Sequence, residues 1–417
     1  MRRTFSRSGL AWLFAAAFVA VLPVQLRALT YDEALLAAEE EAPQIRARRE
    51  AIAGAESSRV SAATLPDPKL FAAIENLPVS GSMRYSLTDD FMTMRTLGVM
   101  QDFPNGEKRA ARQALADAMA ARRRNDLVAD RLIVRREAAL AWITRYTVER
   151  KLETLPEFDR EIQILAEVVR AQLSAGKAPP ADTLSVKEEA FALADRRDSF
   201  ERELTQAKAA LARWVGPRGN EPLSGGPPEL GVDTGALREK LGEQPELHGY
   251  SLMLQSALAE VRIAQSMAKF DWSVQFGYQR RAPEFGDMVS LMFTFDLPLF
   301  TGSRQEPDIA ARLAESRGIQ EEFSAAERQR LEELERMLAE RSELERRRER
   351  LRAERIPLAR ERVELTLASY RAGRGTLNDV LSARRTSIET RLNLIELNGE
   401  FLRNSASLAY LLPENQR

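Results

Sequence analysis

Trp272-Ser-Val-Gln-Phe-Gly-Tyr-Gln-Arg280 alternates along its whole length: Trp272, Val274, Phe276 and Tyr278 share one face, Ser273, Gln275, Gly277 and Gln279 the other. After a short break Val289-Ser-Leu-Met-Phe-Thr-Phe-Asp296 alternates again. Val289, Leu291, Phe293 and Phe295 fall on one side, with Ser290, Thr294 and Asp296 opposite. A strand with an oily, aromatic face and a wet face suits a barrel wall between lipid and a water-filled lumen. Length agrees, because a tilted strand needs roughly 9–11 residues to cross a bilayer. A hairpin packed on a soluble core would share this pattern. The rest of the chain decides against it, since it supplies very long helices and almost no other strand. Trp272, Val274, Phe276, Tyr278, Leu291 and Phe293 are therefore expected to face lipid, and Ser273, Gln275, Gln279, Ser290 and Thr294 the lumen.

Upstream, the same order of parts occurs a first time. Thr30 to Thr64 reads as a helix, with Thr30 and Glu33 spaced as a capping box. Leu65-Pro-Asp-Pro68 ends it, and a weak strand runs from Lys69 to Leu77. Pro78 to Asp90 reads as a loop and Phe91 to Phe103 as a second strand. Pro104-Asn-Gly106 then opens a helix from Glu107 to Leu173, which Ala175-Gly-Lys-Ala-Pro-Pro180 breaks before another helix, Ala181 to Val215. Gly216 to Thr234 is dense in Gly and Pro and reads as a linker. In the second half a helix to Lys269 precedes the strands at 272–281 and 288–297, and a long helix follows from Ile309 to Tyr370. Landmarks match: Gln101-Asp-Phe-Pro104 with Phe295-Asp-Leu-Pro298, Gln172-Leu-Ser-Ala-Gly176 with Tyr370-Arg-Ala-Gly373, Ala181-Asp-Thr-Leu184 with Asn378-Asp-Val-Leu381. The expected division is a signal peptide at 1–28, a first repeat at 29–215, the linker at 216–234 and a second repeat at 235–417.

Four strands cannot close a barrel, and open edges find no hydrogen-bond partner in lipid. Closure requires several copies. Two give eight strands and an interior filled by side chains, three give twelve and room for a passage. The polar inward faces favour three. A helix of about 65 residues reaches about 100 Å at ~1.5 Å per residue, beyond any single domain core. Glu321 to Ile356 is thick with Arg and Glu, with Leu331, Leu334, Leu338, Leu344 and Leu351 at approximate heptad spacing. That segment reads as a solvated coiled-coil face. The expected fold class is mainly α with membrane β: long antiparallel helices in a coiled-coil barrel, plus four strands given to a shared β-barrel, built by internal duplication.

Met1-Arg-Arg-Thr-Phe-Ser-Arg-Ser8 and the apolar Gly9 to Leu22 read as a secretory leader with cleavage after Ala28. The chain has no cysteine, which removes disulfides and an N-terminal lipid-anchoring Cys. No later segment reaches the roughly 20 apolar residues of a spanning helix. Basic and acidic side chains number 61 and 62. Losing Arg2, Arg3, Arg7 and Arg27 with the leader leaves about 57 against 62, with no electrostatic footprint for nucleic acid.

At this point the mature chain resembles the TolC family of outer-membrane efflux ducts. The resemblance rests on the repeated helix–strand–strand–helix order, the strand exits at Asp102-Phe-Pro104 and Asp296-Leu-Pro298, and Tyr370-Arg-Ala-Gly-Arg-Gly-Thr-Leu-Asn-Asp-Val-Leu381. Asp67-Pro-Lys-Leu70, Glu75-Asn-Leu-Pro78 and Gln101-Asp-Phe-Pro-Asn-Gly-Glu-Lys-Arg109 resemble the branch serving heavy-metal efflux pumps. The resemblance implies a homotrimer with a twelve-stranded barrel in the outer membrane of a Gram-negative bacterium and a helical tunnel across the periplasm. It implies a periplasmic adaptor and an inner-membrane RND-type transporter as partners, and heavy-metal cations as one candidate cargo. It also puts the second Gly break at the tunnel entrance, with Asp379 at the main acidic position, Arg371 and Arg374 nearby, and Asp182 in the matching frame of the first repeat. Where some members carry a second acid, this chain has Ser382.

Two rival readings stand beside this one. An enzyme would have to build on His248, the lone histidine, which follows Pro245-Glu-Leu247 at a helix start and reads as a surface or capping residue. No cofactor, catalytic group or resident metal site is expected, because borderline metals favour Cys and His clusters. The stronger rival is a periplasmic coiled-coil adaptor, which would carry strands without a lipid-facing aromatic stripe.

Overall fold

A computed structural model describes residues 28–62 and 64–413; the leader lies almost wholly outside them. Two short helices come first, α1 (Tyr31–Glu41) and α2 (Pro43–Ala62), then β1 (Lys69–Glu75) and β2 (Met94–Phe103). The 69-residue helix α3 (Gly106–Ser174) and α4 (Ala181–Val215) complete the first half. After a short α5 (Thr234–Glu239) the order recurs as α6 (Pro245–Ser266), β3 (Trp272–Arg280), β4 (Met288–Phe295), α7 (Gln305–Arg350), α8 (Ile356–Arg371) and α9 (Leu377–Ala409).

The long helices act as paired poles. At ~1.5 Å per residue α3 spans about 100 Å, and it packs against α2 toward the sheet and α4 toward the opposite end. The pole of α7 and α8 is flanked by α6 and α9 in the same way, and α3 touches both α6 and α9, which joins the halves. Asn105 starts α3 by accepting the Lys108 N–H, and Thr30 starts α1 through the reciprocal Thr30–Glu33 capping box.

Apolar residues close the poles at two levels. At mid-height Trp142 stacks on Tyr146 and meets the edge of Tyr31, among Leu29, Ile45, Leu211 and Val215. The Tyr31 and Tyr410 hydroxyls lie 3.3 Å apart, so the first helix is fastened to the end of the last. Buried Arg145 donates to the Gly219 carbonyl at 2.8 Å and to Glu149, which satisfies a charge that would otherwise be costly. Toward the far end, Leu155, Phe158, Leu165, Val169 and Val186 meet Tyr370, Val380, Leu381 and Ile388.

Four sequence expectations are corrected. The helix expected from Thr30 to Thr64 is two helices, because Pro43 removes a ladder donor and pushes Ala42 to extended backbone (ψ 115°). The helix expected from Ile309 to Tyr370 contains a π turn over Leu351–Arg355, where the Ile356 N–H bonds to the Leu351 carbonyl. Widening one turn accommodates Pro357, which cannot donate and crowds the carbonyl four residues back. Of the heptad leucines, Leu334, Leu338, Leu344 and Leu351 are buried, whereas Leu331 is 46% exposed. The seam is shorter than the spacing suggested. The strands also end earlier than read, at Glu75, Arg280 and Phe295, and β2 begins at Met94.

Candidate functional site

The four strands form one antiparallel sheet in the order β1-β2-β3-β4. Pairing fixes which side chains share a face. Val274 stands opposite Phe293, Phe276 opposite Leu291, Trp272 opposite Phe295 and Tyr278 opposite Val289. Across β2, Val99 pairs with Phe276 and Leu97 with Tyr278, and beyond it Leu70 pairs with Val99. One face is thus continuous in Leu70, Leu97, Val99, Val274, Phe276, Leu291 and Phe293, and most of it is exposed. An exposed apolar face this long marks contact with lipid or protein.

The opposite face carries Ser273 against Thr294, Gln275 against Met292, Gly277 against Ser290, and Gln279 against both Met288 and Thr96. Gln279 donates to Ser290 Oγ at 3.2 Å. Thr96 and Gln279 are buried, shielded where the Phe71 ring crosses the space that a Cβ at Gly98 would need. Aromatic rings gather at the helical end of the sheet: Phe103 stacks on Trp272 (4.3 Å between centroids), and Phe270 meets Phe295. Such rings favour a membrane–water boundary.

Where sheet becomes helix, Asp271 was missed by the sequence reading. It accepts from the Asn105 backbone N–H (2.8 Å), from Asn105 Nδ2 (2.9 Å) and from Lys108 Nζ (2.5 Å). This half-buried carboxylate fixes the start of α3 on the start of β3. Its only sequence signal was the match of Asp67 to Asp271 ahead of each first strand.

At the other extreme, α3 and α8 end identically. Gly176 (φ 66°) and Gly373 (φ 71°) take the left-handed conformation that L side chains resist. The Lys177 N–H bonds to the Gln172 carbonyl and the Gly176 N–H to Leu173, while Arg374 bonds to Ser369 and Gly373 to Tyr370. This is the same Schellman turn twice.

The two turns are fastened together. The Tyr370 hydroxyl donates to Asp182 Oδ2 at 2.9 Å, and Gln172 Nε2 donates to the Arg371 carbonyl at 3.2 Å. Burial, and then the bond to Asp182, push the Tyr370 phenol up to about 12. Asp182 is therefore half-buried and engaged within its own chain. Asp379 is exposed at the third position of α9, where it accepts from the Thr376 hydroxyl (2.7 Å) and backbone N–H (3.2 Å). Those two bonds hold its carboxyl below the usual range. Arg371 and Arg374 are exposed, and among the described residues no ion pair joins either to Asp379.

Behind the tip, ion pairs lace α9 to its neighbours, with Arg385–Glu189 at 2.6 Å, Arg196–Glu389 at 3.2 Å and Arg391 on Glu157. His248 is exposed on the first turn of α6, its ring 3.5 Å from Ser251 Oγ. Among the described residues no cluster of three metal-ligating side chains forms, and no helix is long and apolar enough to cross a membrane.

The second half, residues 236–413, matches the family model described as outer membrane efflux protein. No curated protein matches the chain closely enough to count as a relative. Among solved structures, a membrane protein of Pseudomonas aeruginosa superposes with a TM-score of 0.79 at 16% identity, covering 91% of this chain and 92% of its own. CusC, described with its transmembrane channel formation, gives 0.77 at 15% identity, covering 92% of each chain. The outer membrane protein VceC of Vibrio cholerae gives 0.75 at 20% identity, covering 91% of this chain and 95% of its own. At such identities the likeness establishes the fold alone, over nine-tenths of the chain. The exposed aromatic face of the sheet does not favour the adaptor reading.

Proposed function

We propose that this chain is the outer-membrane duct of a tripartite efflux system, conducting solutes passively from the periplasm to the exterior. One observation carries the reading. A single polypeptide joins a sheet with an exposed apolar face and open edges to helical poles about 100 Å long. Lipid satisfies the first part, and a tunnel across an aqueous compartment satisfies the second. Three copies would close twelve strands around a wet lumen lined by Ser273, Gln275, Gln279, Ser290 and Thr294, with Trp272, Val274, Phe276, Tyr278, Leu291 and Phe293 against lipid.

The tips then form the entrance. Three-fold symmetry would bring copies of Asp379 into a ring, and an acidic ring at a constriction favours cations. Its role in the capping box is compatible with this, because the carboxylate remains exposed. The Tyr370–Asp182 and Gln172–Arg371 bonds supply the closure: spreading the tips apart requires breaking them. Arg371 and Arg374 stand where they can meet the acids of a neighbouring copy. An adaptor and a proton-driven RND-type transporter would dock at this end. Heavy-metal cations are the cargo suggested by Asp67-Pro-Lys-Leu70 and its companion motifs, and the cation preference of the ring accords with it.

Mass measurement of the detergent-extracted complex, followed by planar-bilayer conductance, tests the reading. A trimer with a steady cation-preferring conductance is expected. A stable monomer that needs no detergent would overturn it.

A further inference from the structure

The sheet leaves β1 and β4 as edges, each with a row of backbone groups lacking a strand partner. We propose that β4 of one copy and β1 of the next join in the register that β2 and β3 keep inside the chain, setting Asp296 opposite Lys69 of the partner subunit. The inference rests on the trimeric barrel above and adds its register.

The internal repeat supplies that register. Met94-Arg-Thr-Leu97 and Asp102-Phe-Pro104 align on Met288-Val-Ser-Leu291 and Asp296-Leu-Pro298. This makes β4 the repeat of β2. The β1–β2 pairing sets Lys69 against Met100, and the β3–β4 pairing sets Ser273 against Thr294, the repeat of Met100. Lys69 is therefore the repeat of Ser273. Leu70, Ala72 and Ile74 then fall on Val274, Phe276 and Tyr278, all on the apolar face. Asp67 falls on Asp271, a match that the alignment did not use.

The β2–β3 joint is thus a joint between the end of one repeat and the beginning of the next. The same joint recurs only between β4 and another copy's β1. Transferred there, Asp102↔Ser273 becomes Asp296↔Lys69, Gly98↔Gly277 becomes Met292↔Ala73, and Thr96↔Gln279 becomes Ser290↔Glu75.

Charge agrees with the result. Asp296 is exposed and, among the described residues, forms no ion pair, while Lys69 is exposed with Asp102 at 2.7 Å. Directly opposed unlike charges stabilise a strand pair, and like charges oppose it. A slip of two residues one way sets Asp296 against Asp67, and the other way against Phe71. A slip of one turns the apolar face into the lumen. Only the transferred register gives Asp296 a cation.

The chain lacks cysteine, so introduced pairs report cleanly. Ala73→Cys is combined in the full chain with Met292→Cys, and separately with Thr294→Cys and Ser290→Cys as the two slipped registers. Oxidation in outer membranes should convert most of the Ala73/Met292 variant into covalent trimer, with at least tenfold less from the other two. Efficient cross-linking of either slipped pair overturns the register and leaves the barrel standing. A complex that is trimeric by mass yet cross-links at none of the pairs overturns the edge joint alone. A monomer defeats the trimer and the register together.

The ion pair has its own test. Asp296→Lys should lower the temperature at which the trimer dissociates in detergent, and adding Lys69→Asp should recover at least half of that shift. An unchanged temperature in Asp296→Lys removes the pair.

Discussion

The two ends of this molecule follow opposite rules. At the sheet end, Leu70, Val289, Leu291 and Phe293 point outward, while the buried side chains include Thr96 and Gln279. At the helical tip the charges of Asp379, Arg371 and Arg374 are outside, and Leu377, Val380 and Leu381 are inside. The same chain is inside-out at one end and ordinary at the other. Burial alone therefore does not say what an apolar residue is for; the medium outside it does.

The sharpest attempt to break that contrast compares two phenylalanines. Phe158→Ala empties a site in the tip bundle and should cost about 3–5 kcal/mol, whereas Phe293→Ala on the exposed sheet face should cost far less. Denaturant unfolding followed by helical circular dichroism and by trimer yield reads both. Equal losses would mean that the sheet face packs against protein and not lipid.

Next in size is a charge placed on each face of one strand. Phe276→Arg should cost roughly 2–4 kcal/mol near the membrane midplane and Gln275→Arg little. Assembled trimer recovered from outer membranes gives the comparison, and equal yields would break the two-faced reading.

At the tip the effects are smaller and appear as function. Tyr370→Phe removes the donor to Asp182, worth about 1 kcal/mol, and should raise bilayer conductance or the fraction of time spent open. The phenol titrates above its ordinary value, so the bond stabilises the folded tip below pH 10 and is lost as pH rises through about 12. Conductance of the parent protein should therefore not change through this bond between pH 6 and 9.

Asp379→Asn is the smallest change to stability, since asparagine also serves near a helix start, yet it should weaken cation selectivity and cation block. The carboxyl is held below its usual range, so its contribution is present above the ordinary carboxylate value. It is lost only as pH falls through the lower folded value. Selectivity unchanged in Asp379→Asn would leave it a cap and nothing more.

Much of this was legible in residue order. Alternation over 272–280 and 289–296 identified which side chains share a face, because the period of a strand is fixed by its pleat. Gly176 and Gly373 identified the two helix ends, because only a residue tolerant of positive φ closes a Schellman turn at no steric cost. Asp379 was visible in the match of Asn378-Asp-Val-Leu381 with Ala181-Asp-Thr-Leu184. Its partner Thr376 and the reciprocal form of the cap followed only from coordinates.

What the sequence left open depended on contacts between distant segments. Nothing local says that Asp271 reaches Asn105 and Lys108, or that Tyr370 reaches Asp182 across 188 positions. Nor does spacing reveal that Leu331 misses the seam that Leu334 and Leu338 join. Periodicity and turn chemistry act through neighbours a few residues apart, so the sequence by itself determined the order of the main elements and which side chains of a strand share a face. Which elements meet, and which polar groups fasten them, depends on how 100-Å poles lie against one another, and that was decided only by the tertiary structure.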